Sequence, residues 1–83
     1  MKVRIFVSLK PGVLDSQGRA VHHKLESLGF DGVNDVRVGK MLELDVDDDV
    51  TDDRLDEMCR TLLANMVIEN YRIERIEKAA VPS

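Results

Sequence analysis

The sequence predicts an α+β fold, a two-layer β-α-β-β-α-β sandwich with a four-stranded antiparallel sheet and two helices on one face. Three observations predict it. Apolar and polar residues alternate along 2–9, the period of a half-buried strand. Apolar stripes at helical spacing run through 16–28 and 55–66. Between them, 33–47 carries two short alternating runs separated by Gly39-Lys40, the pattern of a hairpin. Helices that each bury one stripe need a common sheet, and right-handed crossovers put both on the same face.

In the first strand, Val3, Ile5, Val7 and Leu9 point inward, while Lys2, Arg4, Phe6, Ser8 and Lys10 point outward. Phe6 stands out among polar neighbours and marks a sheet face that another subunit could cover. Pro11 stops the strand, and Gly12 allows a turn. Asp15 is placed to cap the first helix by accepting the amide of Gln17 or Gly18. Gly18, in the first turn, costs about 1 kcal/mol against Ala. Close approach of another backbone would account for it.

The first helix is expected from Ser16 to Leu28, with Ala20, Val21, Leu25 and Leu28 on its apolar stripe. Gly29 follows in the left-handed position and Phe30 folds back. Val36 and Val38, then Leu42, Leu44 and Val46, form the expected hairpin. Arg37, Met41, Glu43 and Asp45 would share its outer face with Phe6. Thr51 caps the second helix, whose stripe is Leu55, Met58, Cys59, Leu62, Leu63 and Met66. Asn65 ends it. A last strand spans about Val67 to Ile76, with Tyr71 and Ile73 inward and a bulge or strand end near Arg75.

Eighty-three residues make one domain, 1–83, small enough that association is a common remedy for a thin core. Lys78–Ser83 reads as a frayed tail. The net charge of −4 disfavours nucleic acid and anionic membranes as partners. With one cysteine, no long apolar run and no signal-like segment, the chain reads as cytoplasmic.

Residue chemistry points to no catalytic group. Cys59 falls on the buried stripe, where a small apolar residue belongs. His22 and His23 are adjacent and diverge around a helix, so they do not share a metal. Asp45, Asp47, Asp49 and Asp56 fall on ligand positions of a calcium loop, but Val50 replaces its obligatory glycine. The Lys10–Gly12 turn lacks the glycine spacing and the Lys-Ser/Thr end of a phosphate loop. No catalytic, cofactor-binding or metal residue is assigned, and the pattern alone stops at a small acidic α+β module that acts by binding.

Four segments together carry a resemblance: VSLKPGVLDSQGRAV at 7–21, LGF at 28–30, DVRVGKMLEL at 35–44 and ANMVIENYRIE at 64–74. They resemble the PurS family, the small subunit of phosphoribosylformylglycinamidine synthase in purine biosynthesis. Met66 and Asn70 depart from the proline and acidic residue common there. The resemblance implies an ATP-dependent C–N ligase in which this subunit is non-catalytic. A glutaminase subunit would release ammonia, and a synthetase subunit would use ATP and magnesium. The small subunit would form a dimer or tetramer, join the other two and assist ammonia transfer. It also implies interface roles for Phe6 and Met41 against a second copy. Lys10, Pro11, Gly12, Asp15 and Gly18 match the family's turn, and Arg37, Gly39 and Lys40 its hairpin. A small-molecule, amino-acid-sensing regulatory domain shares the same element order and is the alternative. An acylphosphatase-like hydrolase also shares it, but LKPGVLD offers no anion cradle.

Overall fold

The computed structural model describes residues 1–76. The frayed tail expected at Lys78–Ser83 lies outside them. Its elements are β1 (Lys2–Leu9), α1 (Ser16–Ser27), β2 (Lys40–Asp45), α2 (Asp52–Met58), a π-helical turn (Cys59–Leu63) and β3 (Glu69–Ile76). β1 is the central strand of an antiparallel sheet in the order β2-β1-β3. Lys2 pairs with Asp45 and Val7 with Lys40 on one side, while Lys2 pairs with Ile76 and Leu9 with Glu69 on the other.

Among the described residues the sheet has three strands, not the expected four. Residues 33–39 form no ladder among the described residues. A hairpin would have to reverse at Gly39-Lys40, but Lys40 is already paired with Val7. Gly39 lies so close to β1 that a Cβ there would meet the Val7 carbonyl oxygen at 2.6 Å. The chain therefore enters β2 directly from the side of α1. The backbone groups of 33–38 are turned toward α1: the Val38 amide donates to Asp15, and the Val33 carbonyl accepts from His22 Nε2 at 2.7 Å.

The helices do not share one sheet face either. The core is Val3, Ile5 and Val7 from β1 with Leu55, Cys59 and Ala64, flanked by residues of β2 and β3 such as Leu44 and Ile73. No residue of α1 belongs to it. Of α1, only Gly18 is buried, while Val21 and Leu28 are 42% and 60% exposed. The helix lies beside 33–38 as an arm off the end of the sheet. The radius of gyration is 16.5 Å, against about 12 Å for a compact domain of this length.

Local expectations hold better. Asp15 caps α1 and Thr51 caps α2. α1 ends in a Schellman turn, with Gly29 at φ +91° and the Phe30 amide donating to the Leu25 carbonyl. After Met58 the second helix changes winding. The Ala64 amide donates to the carbonyl of Cys59, five residues back, at 2.9 Å. One extra residue in a turn shifts the stripe by about 100°. Leu63 and Ala64 consequently turn inward, and Leu62, expected on the stripe, is 81% exposed.

β3 begins at Glu69, two residues later than expected, because the Ile68 and Glu69 amides both donate to the Asn65 carbonyl in a tight turn. It carries no bulge. Pairing continues to Ile76, which lies on the open face opposite Lys2. Arg75 takes the inner side and caps its end, bonding Asp52, the Val50 carbonyl and the Met1 sulfur.

Leu55 is fully buried, so Leu55→Ala is expected to cost about 2–5 kcal/mol in urea unfolding. Burial, then the Asp56 charge, push the Cys59 thiol above its ordinary pKa. A thiol reagent should label it only once the protein is unfolded; fast labelling of the native chain would contradict its placement.

Candidate functional site

Eight of the ten residues singled out from the sequence gather where β1, α1 and β2 meet. The junction is built around Asp15, which is 7% exposed. One carboxylate oxygen accepts the Gly18 amide at 2.8 Å, capping α1. The other accepts the Val38 amide, also at 2.8 Å. Arg37 Nε lies 4.0 Å from the same oxygen. The Arg37 guanidinium donates to the carbonyls of Leu9 at 3.3 Å and Lys10 at 3.4 Å. Arg37 thus ties the end of β1 to the segment entering β2. It does not lie on the open sheet face beside Glu43, as the expected hairpin would have placed it. Glu43 instead meets Lys2 at 3.4 Å.

The donated hydrogen bonds, from Val38 first and Gly18 second, hold the Asp15 carboxyl below its ordinary pKa. Arg37 adds to this, and burial opposes it. Gly18 serves the close approach that its sequence position suggested. A Cβ there would stand 2.3 Å from the Val36 carbonyl oxygen. Pro11 and Gly12 form the exposed turn before the cap, with Gly12 at φ +86° and the Val13 amide donating to the Lys10 carbonyl. A groove of about 400 Å³ opens at the junction, lined by Ser8, Leu14, Ser16, Gln17, Lys40 and Glu69 among others.

Phe6 and Met41 lie apart from this junction, paired across β1 and β2 on the open sheet face. The Arg72 guanidinium covers the Phe6 ring, 4.4 Å from its centroid. Half of Met41 is exposed. Arg4 lies between Glu43 and Glu74 in register.

A second polar cluster was not foreseen from the sequence. The Tyr71 hydroxyl donates to Asp56, and Arg60 Nε donates to the other oxygen of that carboxylate at 2.7 Å. These bonds, Tyr71 first, lower the Asp56 pKa, and the same contact raises that of Tyr71. The i, i+4 spacing of Asp56 and Arg60 was available in the sequence, but the partnership with β3 was not. Among the described residues no group of His, Cys, Asp and Glu is arranged to hold a metal.

The chain is a small α+β protein with an antiparallel sheet and two helices, one of which stands as an arm clear of its core. The protein-family model PurS, "Phosphoribosylformylglycinamidine (FGAM) synthase", matches residues 2–77. The PurS subunit of Bacillus subtilis is 51% identical over 81 residues, spanning 95% of this chain and 96% of that one. The PurS subunit of Methanocaldococcus jannaschii is 36% identical, spanning 92% and 98%. The B. subtilis PurS crystal structure superposes with a TM-score of 0.80 at 53% identity, covering 88% of this chain and 94% of the other. A chain in the structure of PurLQS from Thermotoga maritima does so with 0.78 at 28% identity, covering 90% and 95%. This chain belongs to the PurS family, the subunits of FGAM synthase of purine biosynthesis.

Gly18→Ala weighs about 1 kcal/mol of helix propensity against overlap with backbone, which typically costs about 1–3 kcal/mol or more. The overlap wins, and the thermal midpoint is expected to fall, by roughly 4–8 °C for each net kcal/mol. For Asp15, a carboxyl with a lowered folded pKa stabilises fully above its unfolded value of about 3.9 and loses this as pH falls through the folded value. Asp15→Asn offers one acceptor where two amides donate. Its deficit in urea midpoint should be full at neutral pH and shrink below about pH 4.

Proposed function

We propose that this chain is the non-catalytic assembly subunit of FGAM synthase, joining a glutaminase subunit to an ATP-consuming synthetase subunit in the cytoplasm and assisting ammonia transfer between them. One observation carries the reading: a chain of this family holds α1 outside its own core, so that much of its apolar surface is available to other chains. In this reading the subunit holds no cofactor. Glutamine, ATP and magnesium are handled by the partners.

The residues divide into two surfaces. Phe6 and Met41, with the charges beside them, form a mixed apolar and charged sheet face suited to a second copy. Lys10, Pro11, Gly12 and Lys40 present the exposed rim of the junction to a large partner. Asp15, Gly18, Arg37 and Gly39 hold that rim in shape from within. They act on binding through backbone placement rather than contact.

The decisive experiment mixes the chain with matching glutaminase and synthetase subunits and follows glutamine-dependent product formation. Activity that requires the chain supports the reading, and full glutamine-dependent activity without it would sink it. Lys10→Glu reverses one charge on the rim and touches no core residue. It should weaken assembly in analytical ultracentrifugation while leaving the circular dichroism unchanged.

A further inference from the structure

One dipeptide sets a nucleophile beside an electrophile and gives neither a structural task. Asp31-Gly32 is the only place in the chain where Asp or Asn is followed by Gly. It lies just beyond the Schellman turn that ends α1, and both residues are exposed. The Gly32 amide donates to no acceptor, and the Asp31 carboxylate takes no hydrogen bond or ion pair, among the described residues. Gly32 stands at φ +87°, and a Cβ built on it would meet nothing within 4 Å. Its nitrogen is therefore unscreened, and it has no side chain to restrict rotation of the backbone around it. Asp15 makes the contrast. It too is followed by a small residue, Ser16, but it is 7% exposed. Both its carboxylate oxygens are held by amides at 2.8 Å, those of Gly18 and Val38. Ser16 opens α1, so its backbone is fixed at helical angles.

We infer that Asp31-Gly32 is a modification site, where Asp31 isomerises to isoaspartate through a succinimide while the chain stays folded. The Gly32 nitrogen attacks Cγ of the protonated Asp31 carboxyl. A C–N bond forms, the Cγ–OH bond breaks, and the hydroxyl leaves with the amide proton as water. Water then adds to one of the two imide carbonyls. Opening at Cγ returns aspartate. Opening at the main-chain carbonyl leaves the chain linked through Cγ, with the former main-chain carbonyl as a free carboxylate. Water is the only co-reactant.

The product carries one extra main-chain atom between two anchored points. Before it, the Phe30 amide donates to the Leu25 carbonyl at 3.1 Å. After it, the Val33 carbonyl accepts from His22 Nε2 at 2.7 Å. The segment 33–38, which leads to the Asp15 clamp, begins at the second anchor. Isomerisation displaces that anchor and loosens the segment against α1. The chemistry is independent of how the subunit assembles.

The test ages the full chain at neutral pH and physiological temperature in water enriched in heavy oxygen, beside a sample kept unfolded in guanidinium. Peptide mapping with electron-transfer fragmentation locates isoaspartate. An isoaspartyl carboxyl methyltransferase with labelled S-adenosylmethionine counts it. In the folded chain, isoaspartate carrying heavy oxygen is expected at Asp31 ahead of every other Asp and Asn. Folding should slow the reaction at Asp31 by less than roughly threefold, as for an exposed loop tip, and a larger slowing overturns the inference. Asp15 should react in guanidinium alone. Asp31→Glu, which would have to close a six-membered imide, should remove most of the methyl acceptance of the folded chain and leave its circular dichroism unchanged. Methyl acceptance that survives this change undiminished, or isoaspartate no more abundant at Asp31 than elsewhere, also overturns the site. Hydrogen exchange across 33–38 should quicken in the aged chain, and unchanged exchange there overturns the loosening.

Discussion

The buried carboxylate of Asp15 is the constraint on which the rest of the protomer depends. It accepts one amide from the first turn of α1 and another from Val38, twenty-three residues further on. A single side chain thereby sets the start of a helix and the path of the chain leaving it. Because the Val38 amide is committed to Asp15, it is not free to join a sheet ladder. Because Gly18 lets the Val36 carbonyl approach, the helix and the returning segment lie flush. Arg37 then secures the pair to the last carbonyls of β1. Hydrogen bonds of this kind, with one partner charged and buried, are the stronger ones. Removing either partner leaves a desolvated group unpaired.

The sheet layer is organised differently, by packing. β1 is central and its inward residues Val3, Ile5 and Val7 are at most 2% exposed, with Leu55 and Cys59 closing over them. The π turn makes this closure possible over a short helix. By rotating Leu63 and Ala64 inward it extends the covered strip, at the cost of turning Leu62 out. Tyr71 and Arg60 hold Asp56 between the sheet and the helix, so the orientation of α2 is set by a polar clamp as well as by apolar contact. The result is a covered sheet layer and a clamped arm joined at one junction. The junction's outer rim, unlike its buried polar groups, is open to solvent.

Strand β1, both helix caps, the left-handed Gly29, the buried Cys59 and the inward Tyr71 and Ile73 were all legible in the sequence, because each depends on local periodicity or on residues within one turn. Family membership was legible for a different reason: ordered segments spanning most of the chain match together, and their order is specific even where no motif is. The candidate residues were recognised as a group, but their division into inner clamp and outer rim was not, since Asp15 read only as a helix cap and Arg37 as a charge on the outer face of a hairpin. The hairpin at 33–47 was misread because Val36 and Val38 alternate as a strand does. Their backbone is claimed by a side chain remote in sequence, and periodicity does not register that competitor. Helix α1 was misplaced for a related reason. Its stripe predicts burial against the sheet, while the clamp at Asp15 and Arg37 holds the helix beside 33–38 instead.

The amino-acid sequence by itself determined the central strand, the two helices and their caps, the inner residues of the sheet and the family, all legible from pattern along the chain. Only the tertiary structure decided that the sheet stops at three strands, that α1 stands off it, and that the second helix rewinds at Cys59. Those outcomes turn on which of several possible partners each amide and each apolar stripe takes. That choice is made by distances between residues far apart in the chain.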